Sequence, residues 1–187
     1  MKTLVIIPSR LSASRLPGKP LLKINGISII SHVFKRAEKA NIGEVIVAAE
    51  DQEIIDDVKG NGGNAILTSK NHKTGTDRIY EAFTLLGKKD IDLIMNVQGD
   101  EPDINVDDIK DLNNKMKINK SEIGTLAAKI SNFEIYGNEN IVKVKTKESF
   151  DQNPFPQASL FTRLTKEKMN IFHHIGIYSY EVNTLKK

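Results

Sequence analysis

The chain has 187 residues, no cysteine and a formal net charge of +3. That length suits one domain, or one domain with an appendage, and the lack of cysteine rules out a disulfide framework or a Cys-based zinc site. It also fits a reducing cytoplasm, the expected location. Acidic and basic residues are interspersed and aromatics make up only 6%, so the expectation is a solvated surface without a nucleic-acid face. No apolar run approaches the ~20 residues of a membrane span. "MKTLVIIPSR" is too short for a signal peptide and has no small-residue cleavage site.

In chain order, "TLVII" (Thr3–Ile7) predicts a short buried strand. Ser28 is placed to cap a helix on which Ile30, Val33, Phe34 and Ala37 share one face. "EVIVAA" (Glu44–Ala49) predicts a second strand. "DQEIIDDVKG" predicts a helix with acidic residues in its first turn, where the helix dipole favours them. "NAIL" is a third strand, and a polar loop leads to a helix from about Asp77 to Leu86. "DLIMNV" is a fourth strand, Asp107–Lys117 a helix and "TLAAKI" (Thr125–Ile130) a strand. Strand–helix alternation with apolar central strands predicts an α/β three-layer sandwich around a mostly parallel sheet. After about residue 130 "IVKVK", "SLFTR" and "HHIGIYSY" predict a small β excursion, punctuated by Pro154 and Pro156. The expected organisation is one domain over 1–187. Its α/β core spans 1–130, and residues 131–187 form a lid or dimer arm.

Ligands of open α/β sheets bind beyond the carboxyl ends of the strands, so the loops after those strands carry the chemistry. The first loop holds Arg10, Arg15 and Lys19 beside Pro17, Gly18 and Pro20. The prolines forbid a continuous helix, and forked Arg donors with a Lys point charge match a triphosphate. A merely solvated basic loop is the alternative. It is neither a Walker A loop nor a dinucleotide fingerprint. In "NVQGDEP", Asp100 directly follows a buried strand, a place from which a carboxylate can hold Mg²⁺, and Gln98 offers an amide to a polar substrate. Asp100 and Glu101 as plain turn residues or a helix cap are the alternative. In "HKTGTDR", the backbone of Thr74, Gly75 and Thr76 can bind a base or a phosphate, with Thr76 as a plain N-cap the other reading. Arg78 sits in a first helical turn, where the dipole disfavours a cation, which points to an anionic substrate. His174, Gly176 and Tyr178 alternate along one strand face, a surface suited to a sugar.

Four stretches, "IIPSRLSASRLPGKPL", "GGNAILTSKNHKTGTDRI", "NVQGDEP" and "HHIGIY", together resemble the 3-deoxy-manno-octulosonate (Kdo) cytidylyltransferases, the CMP-Kdo synthetases. The resemblance implies a nucleotide-diphospho-sugar transferase fold. It implies the reaction of CTP with Kdo to give CMP-Kdo and pyrophosphate with Mg²⁺, as in lipopolysaccharide biosynthesis, and a homodimer. It puts Arg10, Arg15 and Lys19 on the triphosphate and makes Asp100 the metal ligand. Ala48 and Thr74–Thr76 lie by the nucleotide, and Arg78, Gln98, Arg163, His174 and Tyr178 by the sugar acid. The chain departs from the pattern after "LFTR" and stops at Lys187. The family there continues into a segment with a second metal-binding Asp, so the expectation is an incomplete chain. Two alternatives stand beside this reading: a cytidylyltransferase for another sugar acid (a sialic acid or amino-Kdo), and an inactive nucleotide-binding remnant.

Overall fold

The structure is a computed structural model that describes residues 1–12 and 16–186. Its elements, in chain order, are β1 (Thr3–Ser9), β2 (Lys23–Ile24), β3 (Ile27–Ser28), α1 (Ile29–Lys39), β4 (Gly43–Ala49) and α2 (Gln52–Gly60). There follow β5 (Ala65–Leu67), α3 (Gly75–Leu86), β6 (Leu93–Asn96), α4 (Val106–Asn119) and β7 (Ile123–Ala128). The last are β8 (Lys143–Thr146), β9 (Ala158–Thr162), β10 (Ile171–Glu181) and α5 (Val182–Leu185). The chain divides into two compact units, Met1–Gly124 with Ile177–Lys187, and Thr125–Gly176. The last residues of the chain thus return to the first unit. No helix among the described residues is long and apolar enough to cross a membrane.

In the first unit the strand order is β5-β4-β1-β6, closed by the end of β10. β1 runs parallel to β4 and β6, with Val5 opposite both Val45 and Met95, and β4 runs parallel to β5. The end of β10 is antiparallel to β6, pairing Tyr178 with Asn96. A parallel sheet must be covered on both faces, which is why its strands are apolar throughout. Leu4, Ile6, Ile46 and Ala48 pack against Ile79, Ala82 and Phe83 of α3, with Ile94 and Val182 completing that layer. The alternate residues Val5, Ile7 and Val47 are also fully buried, and α1, α2 and α4 form the other layer. Each such aliphatic side chain contributes about 1.5–3 kcal/mol of burial.

Local signals set the helix starts. Ser28 caps α1 by accepting from Ser31 N–H at 3.2 Å. The hydroxyls of Ser28 and Ser31 both donate to Asp57 of α2, tying the two helices together. α3 begins two residues earlier than the apolar spacing predicts. Thr74, not Thr76, is its N-cap, because Thr74 and Asp77 form a reciprocal capping box at 3.1–3.2 Å.

The second unit is antiparallel. β8 pairs with β9 across a register shift between Lys145 and Thr146, and with the start of β10. Lys143 is fully buried. Its ammonium donates to the carbonyls of Asn138 at 2.8 Å, Ile141 at 2.9 Å and Arg163. Burial, and then the charge of Arg163, hold it below the usual lysine value of 10.5.

Candidate active site

The carboxyl ends of β1 and β6, the loop after β1 and the start of α3 enclose a cleft of about 350 Å³ within the first unit. Arg10, Lys19, Thr74, Gly75, Arg78, Gln98 and Asp100 all line it, so seven of the sequence-predicted residues converge there. The cleft exists because backbones approach closely. A Cβ on Gly99 would meet the Pro8 carbonyl oxygen at 2.9 Å and Ile30 Cδ1 at 3.0 Å, so only glycine lets the β6 loop turn this near β1. Gly18, at φ +72°, caps the single 3₁₀ turn Lys19–Leu21 that carries Lys19 to the cleft.

Carboxylates distant in sequence serve the basic loop. Lys19 Nζ donates to Asp100 Oδ2 at 2.9 Å. Asp51 leaves its own helix uncapped and accepts from Leu11 N–H at 2.8 Å. Glu50 accepts from Ser12 Oγ at 3.1 Å and pairs with Arg78. Arg78 is 3% exposed and also donates to Thr68 Oγ1 at 2.6 Å and Ser69 O at 3.1 Å. Its place in a first helical turn is therefore compensated from within the chain by Glu50. Arg10 is exposed and has no ion pair among the described residues. Burial, and then Asp100, raise the Glu101 carboxyl above its usual value. Gln98 donates to Asn96 Oδ1 at 3.2 Å.

The other predicted residues fall elsewhere. Ala48 is fully buried within β4, under α3. Thr76 lies in the first turn of α3 and is not among the lining residues. Tyr178 stacks on Tyr180 with ring centroids 6.0 Å apart, and burial, then Tyr180, raise its phenol. Arg163 and His174 belong to the second unit. There Arg163 donates to Glu139 O at 2.9 Å, and His174 meets Thr125 Oγ1 at 3.0 Å and packs T-shaped with Phe161. Burial, and then His173, lower His174 below the usual 6.5. Arg15 lies outside the described residues.

A family description, "Cytidylyltransferase", matches residues 4–187. The chain belongs to the cytidylyltransferase family. A 3-deoxy-manno-octulosonate cytidylyltransferase of Nitrobacter winogradskyi is 41% identical over the whole chain, which spans 74% of that relative. One from Francisella tularensis is 40% identical over 97% of the chain and 76% of its own length. Among solved structures, a CMP:2-keto-3-deoxy-manno-octonic acid synthetase complexed with CTP superposes with a TM-score of 0.86 at 34% identity, over the whole chain and 76% of its own. A 4-diphosphocytidyl-2C-methyl-D-erythritol synthase from Anaerococcus prevotii shares the fold, with a TM-score of 0.59 at 14% identity over 97% of this chain and 72% of its own.

Several residues of this cytidylyltransferase cleft escape a sequence reading. Ser9 lines the cleft, is 7% exposed, and its Oγ has no hydrogen-bond partner among the described residues. Glu50 acts through Arg78, 28 positions away, and no local spacing announces such a pair. His72 also lines the cleft. It stands two residues before the Thr74 cap, and that adjacency was the available signal.

Proposed function

We propose that this chain transfers CMP from CTP to 3-deoxy-D-manno-octulosonate (Kdo), releasing pyrophosphate. The observation that carries this reading is the convergence of Arg10, Lys19, the start of α3 and Asp100 around one cleft. The names of the relatives at about 41% identity support the substrate pair.

The anomeric hydroxyl of Kdo attacks the α-phosphorus and pyrophosphate leaves. Arg10, Arg15 and Lys19 hold the phosphates and neutralise the charge that develops there, while the cleft fixes the line of attack. No side-chain nucleophile is required. Among the described residues no group of three or more His, Asp or Glu side chains could hold a metal alone. Asp100, a half-exposed hard oxygen donor in the cleft, fits Mg²⁺ when substrate phosphates and waters complete the octahedron. When bound, Mg²⁺ would supply further charge neutralisation at the phosphates. Of the cleft residues, Gln98 is assigned to the sugar acid, and Thr74 and Gly75 at the start of α3 to the nucleotide. CTP as donor favours a cytoplasmic location.

Pyrophosphate release from CTP and Kdo with Mg²⁺ tests the proposal. Turnover with Kdo is the expected result. Turnover only with another sugar acid reassigns the acceptor, and CTP binding without turnover with any acceptor removes the enzymatic reading.

A further inference from the structure

We infer that His72 is a triphosphate-binding residue of the cleft and that Glu81 is the positioning residue that aims it; the inference rests on the CTP reading above. His72 lines the same cleft as Arg10, Lys19 and Arg78, and its side chain is 19% exposed. Its Nε2 is hydrogen-bonded to Glu81 Oε2, which also accepts from Ser69 N–H at 2.8 Å. On the preceding turn of α3, Arg78 holds Thr68 Oγ1 and Ser69 O. Residues 68–72 are thus fastened to α3 at both ends, and Glu81 holds the imidazole by Nε2.

A carboxylate on Nε2 leaves Nδ1 for a second partner. Among the described residues Nδ1 meets no hydrogen-bonding group. As an imidazolium the ring donates from both nitrogens, so Nδ1–H and a positive charge are presented while Glu81 retains Nε2–H. The surrounding charges are Asp77, Arg78 and Glu81 on α3, Lys73 next in the chain, and Arg10, Lys19 and Asp100 across the cleft. Glu81 balances His72, while Arg10 has no carboxylate partner among the described residues. A polyphosphate entering the cleft meets that surplus, and His72, which lines the cleft, adds a second ring nitrogen to it. A histidine–glutamate pair serving stability alone would not depend on how many phosphates a ligand carries.

The test is calorimetric titration of the full chain with CTP, CMP and cytidine, for the wild type, His72→Ala, His72→Gln and Glu81→Gln. His72→Ala should weaken CTP about ten-fold or more, the scale of a lost charge-assisted hydrogen bond. The loss should be smaller for CMP and absent for cytidine. His72→Gln keeps a neutral donor and guards against misfolding of the alanine variant; it should lose less, in the same order of ligands. Glu81→Gln should repeat the pattern more weakly. Equal CTP affinity in wild type and both His72 variants, or equal losses for all three ligands, overturns the assignment while leaving the CTP reading intact. A wild type that binds no CTP overturns both.

Discussion

Lys19 Nζ and Asp100 Oδ2 lie 2.9 Å apart, so the cation proposed for the phosphates and the carboxylate proposed for Mg²⁺ occupy each other. Both side chains keep contact with solvent, at 31% and 57% exposure. A pair this exposed is worth about 0–1 kcal/mol, well below what a divalent cation and a triphosphate offer the two groups. The pair should therefore exchange on ligand binding, with Lys19 turning to phosphate and Asp100 to metal. Mg²⁺ alone should bind weakly, and CTP should strengthen it. Lys19→Ala should weaken CTP by about 1.5–3 kcal/mol yet leave binding of Mg²⁺ alone unchanged or tighter. Asp100→Asn should abolish Mg²⁺-dependent turnover without altering the melting temperature. Titrations of each variant with Mg²⁺, with and without CTP, read these effects. Weaker binding of Mg²⁺ alone in Lys19→Ala would refute the exchange.

The Glu50–Arg78 pair obeys different energetics because it is buried, at 9% and 3% exposure. Removing one partner of a buried pair strands the other and costs about 3–5 kcal/mol. Glu50→Ala should lower the free energy of unfolding on that scale, measured by urea titration. Joint replacement, Glu50→Gln with Arg78→Met, should recover part of the loss. A double variant that loses the sum of the two single losses would show that the groups do not interact.

The sheet and its helices were legible because burial imposes period: Leu4 to Ile7 and Leu93 to Met95 are continuous apolar runs, and Ser28 stands at the cap the helical spacing requires. The basic loop and the Gly99–Asp100 turn were legible because glycine, proline and charge at the end of a buried strand have few uses. Pairings over long separations were not. The positive charge of Arg78 reads as a substrate signal in sequence, but Glu50 meets it across the fold. The charge of Lys19 is likewise met across the fold, by Asp100. Thr74 was misjudged against Thr76 because the capping box is decided by Asp77, three residues beyond the true cap.

Acid should weaken the fastening of the 68–72 loop. Burial pushes the Glu81 carboxyl up, but the hydrogen bonds from His72 and Ser69 N–H, with the charges of His72 and Arg78, outweigh it and hold it below the usual 4.5. A carboxyl lowered by folding contributes stability above its unfolded value and loses it as pH falls through the folded value. Unfolding free energy should accordingly decline below about pH 4.5, and Glu81→Gln should flatten that decline. Asp77, lowered by its hydrogen bonds from Thr74, adds to the same slope. Urea titrations at a series of acidic pH values separate the two variants. An identical slope in Glu81→Gln and wild type would remove the role given to Glu81.

The buried ammonium of Lys143 should act in the opposite pH range. Its neutralising surroundings are carbonyl dipoles, of Asn138, Ile141 and Arg163, and no carboxylate pairs with it among the described residues. Folding lowers its value beneath 10.5, so between the folded value and 10.5 the unfolded chain holds the proton more tightly. Stability must then rise with pH across that window. Tyr178, raised above 10.0 by burial, opposes this rise only once pH passes its own unfolded value, which confines a clean reading to pH below 10.0. Lys143→Met should abolish the rise, because no titrating group remains at the position. It should also destabilise at neutral pH by roughly 1–3 kcal/mol for each carbonyl left unsatisfied. Lys143→Arg, too large for a fully buried site, should destabilise while keeping its charge at every pH tested. Urea unfolding across pH 7–9.5 compares the three chains, and a Lys143→Met variant with the slope of the wild type would show that the ammonium is not the titrating group.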